Sequence, residues 1–181
     1  MRVLATATLC IALIAGVSDA SAQSPSTGSR LSAYQVGAWN AGAYSVAGSP
    51  AFAFCAATAT YNSGITVSFL LTKAGSWGIA LFDPAWNLTV GTSYPIAMAV
   101  DSRASGLDTA NAIATNEVLI VLNPTVALFK TFMEGEKLRI EVAAGTYTFD
   151  LTNTVEMLPS LVKCVEGISG PIPVSSNPFA S

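Results

Sequence analysis

The chain contains no histidine, which removes Ser-His-Asp and Cys-His catalysis and the usual zinc constellations. What remains is carboxylate, lysine and hydroxyl chemistry. Ser160-Leu161-Val162-Lys163 has the spacing with which penicillin-recognising enzymes activate a helical serine. Neither the Ser-Asp-Asn nor the Lys-Thr-Gly companion accompanies it, so these residues read as a helix surface. Leu107-Asp108-Thr109-Ala110 has the outline of an aspartic-protease loop. Ala110 stands where Gly or Ser is needed and the chain holds one copy, so it reads as a polar turn. A glycan hydrolase built from Asp83, Asp101, Asp150 or the glutamates needs two carboxyl groups roughly 5 to 10 Å apart. Several of the glutamates adjoin helix ends or alternate on wet faces. Calcium requires acidic residues at short spacing, as in Asp-x-Asp-x-Asp-Gly, and no such loop occurs. A glycine-rich phosphate loop is also missing, so the sequence points to no catalytic residue, no metal and no cofactor.

Recognition by aromatic side chains is the remaining chemistry, because Trp and Tyr combine large apolar area with a polar atom. Trp39, Tyr44, Tyr61 and Trp77 read mainly as core, Trp77 because it opens a strand. Trp86, in the loop after Asp83-Pro84-Ala85, and Tyr94, before Pro95, are the candidate recognition residues.

The elements that would position these groups begin after an address. Arg2, the apolar run from Val3 to Val17 and the small residues Ala20-Ser21-Ala22 predict a signal peptide over residues 1–22. Cys10 leaves with it. Cys55 and Cys164 remain, and in an oxidising compartment two cysteines allow one intramolecular pairing, so a Cys55–Cys164 disulfide is expected. Loss of Arg2 and Asp19 leaves the net charge of −3 unchanged. That mild acidity argues against nucleic acid or an anionic membrane surface as partner, and no later stretch is long and apolar enough to span a membrane as a helix. The predicted location is periplasmic or secreted.

Ser, Pro and Gly dominate residues 23–35, read as a flexible leader, and proline breaks up residues 167–181, read as a flexible tail. Residues 36–166 should form a single β-rich domain, and 51% hydrophobic against 10% charged residues supplies ample core. Apolar residues recur with period two, the mark of strands with unlike faces. The segments Trp39 to Val46 and Phe52 to Tyr61 are the first strands. Asn62-Ser63-Gly64 turns the chain into Ile65 to Thr72, and Lys73-Ala74-Gly75-Ser76 turns it again into Trp77 to Leu81. Ile96 to Val100, a weak Thr109 to Thr115 and Glu117 to Leu122 follow.

Asn123-Pro124 reads as an N-cap with proline in the first turn of a short helix ended by Gly135. Leu138 to Val142 and Tyr147 to Leu151 form a hairpin. A last helix, carrying Cys164, is expected to begin near Pro159, because proline is costly in a helix interior. The fold class is mainly β, an antiparallel β-sandwich or partly open barrel with one or two short helices.

Three segments, Phe52-Ala-Phe-Cys-Ala-Ala-Thr-Ala-Thr-Tyr-Asn-Ser-Gly-Ile, Trp86-Asn-Leu-Thr-Val-Gly-Thr-Ser-Tyr-Pro and Leu161-Val-Lys-Cys-Val, resemble a family of uncharacterised exported proteins of alphaproteobacteria. The resemblance implies a periplasmic or secreted β domain and carries no activity. The layout of strands, the Gly135-x-x-Leu138 strand start and the C-terminal cysteine are also similar to the invasion-associated locus B proteins, although this chain lacks that family's additional cysteines. The functional expectation is a non-catalytic exported domain that binds a protein or cell-envelope component. The alternatives are a carboxylate-based, glycan-directed hydrolase and a purely structural envelope protein.

Overall fold

Alternating apolar residues build one large sheet whose inner face is the core. A computed structural model describes residues 29–169. The predicted signal peptide with its cleavage site, residues 23–28 of the predicted leader and residues 170–181 of the predicted tail lie outside the described residues. Within them run β1 (Tyr34–Val36), β2 (Trp39–Ser45), β3 (Phe52–Thr60), β4 (Thr66–Thr72) and β5 (Trp77–Phe82). After these come β6 (Ser93–Val100), β7 (Arg103–Ala114), β8 (Glu117–Leu122), α1 (Val126–Glu134), β9 (Lys137–Val142), β10 (Gly145–Asp150) and α2 (Thr154–Ser169).

All ten strands join one antiparallel sheet in the order β1-β2-β3-β4-β5-β8-β7-β6-β9-β10. The meander from β1 to β5 follows chain order. The chain then skips two positions to lay down β6 and returns through two hairpins to pair β8 with β5, a Greek-key arrangement. The helix α1 carries the chain back across to β9, beyond β6.

The sheet curls without closing. Its first and last thirds meet through side chains: the Tyr61 hydroxyl donates to the Asp150 carbonyl, and Trp39 Nε1 donates to the Thr152 carbonyl at 2.8 Å. The rings of Tyr61 and Phe149 meet edge to face at 5.1 Å. Of the two expected architectures, the partly open barrel is the one formed.

Inward-pointing residues fill the curl: Ala41 and Ala43 on β2, Cys55 and Ala57 on β3, Phe69 and Leu71 on β4, Trp77 and Ile79 on β5, and Ile120 and Leu122 on β8. Alanines on β2 and β3 leave room for the helices. Trp39, Phe69, Phe132, Trp77 and Phe129 form a continuous set of edge-to-face contacts with centroids 5.5 to 5.6 Å apart, a geometry the ring quadrupoles favour.

Two helix starts differ from expectation. The N-cap of α1 is Thr125, whose Oγ1 accepts from Leu128 N at 3.2 Å, so Pro124 precedes the helix instead of opening it. A hydroxyl in extended backbone immediately ahead of Val126 satisfies the free amide that Asn123 was expected to cap. The second helix begins at Thr154 and includes Pro159. Asn153, at φ 65, reverses the chain, and burial of Met157, Leu158, Leu161 and Val165, worth about 1.5 to 3 kcal/mol per large side chain, exceeds the roughly 3 kcal/mol that an interior proline costs.

Cys55, fully buried on β3, is bonded to Cys164 on α2, with a Cα–Cα distance of 6.2 Å across a sequence separation of 109. The bridge clamps α2 onto the early sheet, as expected from sequence. The weak strand over Thr109 to Thr115 is longer than expected, from Arg103 to Ala114, with a bulge between Ala112 and Ala114.

Candidate functional site

On the outer face of the sheet, residues that alternate away from the core are apolar across four neighbouring strands: Phe54, Leu70, Ala80, Leu119 and Val121. From β5 the small Gly78 and Ala80 line this face beside the edge of Trp77, so the surface sinks between the larger side chains of β4 and β8. Gly78 is fixed by backbone approach, since a Cβ at this position would lie 2.5 Å from the Ile120 carbonyl oxygen. Ile113, in the β7 bulge, adds a further wall. The result is an open groove of about 230 Å³.

Three polar side chains, Thr72, Ser76 and Glu117, interrupt this lining. Glu117 pairs in register with Phe82 on β5 and Ala114 on β7 and is 1% exposed. Thr72 stands on β4 opposite Phe54. Glu117 Oε1 and Thr72 Oγ1 are both buried without a hydrogen-bond partner. Burial pushes the Glu117 carboxyl up from 4.5 to about 7, because an apolar surround disfavours the charged form. Other hydroxyls on the same face are paired: Thr58 with Ser68 at 3.1 Å and Thr60 with Thr66 at 2.9 Å.

The candidate recognition residues lie elsewhere. Trp86, half-buried in the loop after β5, has its ring 6.4 Å from that of Tyr147 and packs against the core. Tyr94, on β6 opposite Ala110, is likewise half-buried against the core. Neither lines the outer groove.

The acidic residues weighed for hydrolysis are dispersed among local roles. Asp83 Oδ1 accepts from Ala85 N at 2.9 Å. Asp101 accepts from the amides of Glu136 and Lys137, and Asp150 pairs with Lys137. Asp108 Oδ1 accepts from Thr109 N at 2.7 Å, and Ser160 Oγ donates to the Met157 carbonyl at 2.7 Å while Lys163 is exposed. Among the described residues, no three His, Cys, Asp or Glu side chains gather to hold a metal.

Glu117 escaped sequence reading as a site residue. Its signal was present in Glu117-Val-Leu-Ile-Val-Leu: a strand apolar on both faces will bury a carboxylate on either.

The architecture is a curled, open antiparallel sheet with two helices. No protein-family model and no curated protein matches the chain. Among solved structures, the fold is similar to the crystal structure of invasion-associated protein B from Bartonella henselae, at 16% sequence identity and a TM-score of 0.51. The match covers 75% of this chain and 98% of that one. At this identity the likeness is one of fold, and it agrees with the layout read from the sequence. Among the described residues no helix is long and apolar enough to cross a membrane.

Proposed function

We propose that this protein is a non-catalytic exported binding domain of the alphaproteobacterial family it resembles, periplasmic or secreted, and that its outer-face groove takes up the apolar part of a cell-envelope component. The observation that carries this reading is the groove itself, an apolar depression of about 230 Å³ in which two buried polar atoms stand without partners. Concave apolar lining with a few convergent polar groups is the usual character of a ligand site. The Cys55–Cys164 bridge is consistent with an oxidising compartment.

The hydrolase alternative gains nothing from this geometry, since Glu117 is the one acidic residue lining the groove and the reaction needs two. A purely structural role leaves the unpartnered Thr72 and Glu117 oxygens without a purpose.

The test is an NMR titration of the isotopically labelled, oxidised protein with lipid and glycan fractions of bacterial envelope. Amide shifts clustered on Gly78, Ala80 and Leu119, abolished by Ala80→Phe, are expected. Shifts centred on Trp86 and Tyr94 would move the site away from the groove to those half-buried aromatic side chains, and glycan turnover without groove shifts would replace binding by hydrolysis.

A further inference from the structure

The geometry points to a small organic amine with an apolar body as the ligand of the outer groove, its ammonium group seated on Glu117. This deepens the binding function proposed above and rests on it. A carboxylate surrounded by apolar side chains is relieved either by a proton or by a cation. The described part of the chain supplies no cation here. Strand β5 carries no titratable residue, and those of β7, Arg103 and Asp108, pair in register with Val100 and Ile96, far along the strand from Ala114, which faces Glu117. Asp83, just beyond β5, turns its carboxylate to the Ala85 amide. Lys130, Lys137 and Arg139 are paired with Glu134, Asp150 and Glu141, and Arg30 lies over the Tyr44 ring at 5.9 Å. Lys73 is exposed in the turn after β4, at the Thr72 end.

An ammonium group brings three donors and no acceptor, which suits an acceptor oxygen that has no donor. The apolar body of the ligand then covers Gly78, Ala80, Leu70 and Leu119. Thr72 Oγ1, at the far end of the groove, can donate or accept and so suits a second polar atom on the ligand. The volume of about 230 Å³ is below the roughly 300 to 1,000 Å³ of drug-sized sites and calls for a short molecule. Below about pH 7, where the Glu117 carboxyl is mostly protonated, binding exchanges one cation for another, the carboxyl releasing its proton to solvent as the ammonium group arrives.

Hexylamine, hexan-1-ol and Nα-acetyl-lysine methylamide, titrated into the labelled, oxidised protein at pH 6 and pH 8, test this. Hexylamine is expected to shift the Gly78, Ala80 and Leu119 amides and to bind about tenfold more tightly at pH 8, as follows from a carboxyl titrating near 7. Glu117→Gln should bring hexylamine down to the affinity of hexan-1-ol and remove the pH dependence. Should that variant fail to fold, Ala80→Val, which raises the groove floor and keeps Glu117, should abolish the hexylamine shifts. Hexan-1-ol binding as tightly as hexylamine at pH 8 overturns the amine while leaving the groove a binding site. Equal binding of the lysine derivative replaces the small amine by a lysine side chain. Groove amides unmoved by every probe overturn both the ligand and the proposed function.

Discussion

Thr72 and Glu117 face one groove from opposite ends of the β5 register, and neither Thr72 Oγ1 nor Glu117 Oε1 has a hydrogen-bond partner. Leaving a buried polar atom unpaired costs about 1 to 3 kcal/mol. A sheet can avoid that expense, and on the same face this one does: Thr58 is paired with Ser68 and Thr60 with Thr66. The two unpaired atoms are therefore concentrated where the surface is also concave.

Glu117 makes stability depend on pH in an unusual direction. Its carboxyl titrates near 7 in the folded protein against 4.5 as the ordinary value, so the folded state binds the proton more tightly. The fold is most stable, with respect to this group, below about pH 4.5, and that stability is lost as pH rises to about 7. The loss is about 2 to 3 kcal/mol. Urea unfolding at pH 5 and pH 8 should show it, and Glu117→Gln should flatten the difference. A pH-independent wild type would mean that Glu117 finds a partner in solution.

The groove floor is set by one backbone contact. In Gly78→Ala the new Cβ falls 2.5 Å from the Ile120 carbonyl oxygen, and relief requires β5 and β8 to separate. A loss of about 1 to 3 kcal/mol in chemical denaturation is expected, with weakened amide protection on Ile120 and Gly78. Unchanged stability would show that the two strands have slack.

Much of this fold was legible because the strands that matter alternate clearly. Leu138, Ile140 and Val142 set against Lys137, Arg139 and Glu141 give β9 its inner and outer faces without help from the rest of the chain. The groove was not legible in the same way. It depends on β5 being flanked by β4 and β8, a Greek-key neighbourhood that no local pattern encodes, and on Ile113 being displaced by a bulge. The helix starts were misplaced for a different reason. Local rules for Pro124 and Pro159 are weaker than the hydroxyl cap of Thr125 and the apolar face of α2.

The Cys55–Cys164 bridge closes a long loop, and chain entropy assigns such a bridge roughly 4 to 5 kcal/mol. Thiol titration of the unfolded, unreduced protein should find neither Cys55 nor Cys164 free. Replacing both with alanine should lower unfolding free energy by about 2 to 5 kcal/mol, and amide exchange should rise first in α2, which the bridge holds to β3. Exchange rising first in β9 and β10 would place the weak point elsewhere.

Pro159 offers the converse case, a residue that works against its own element. In α2 its nitrogen cannot donate to the carbonyl four residues earlier, and its ring crowds the preceding turn. An interior proline costs about 3 kcal/mol relative to alanine. Part of that is returned by the smaller entropy of the unfolded chain, about 0.4 to 1 kcal/mol. Pro159→Ala is therefore expected to raise stability by about 2 to 2.6 kcal/mol, or several degrees in Tm, without disturbing Met157, Leu158 or Leu161 in the core. A lower Tm would mean that the helix bends at Pro159 to bring its buried face onto β2, β3 and β4, and that a straight α2 packs less well.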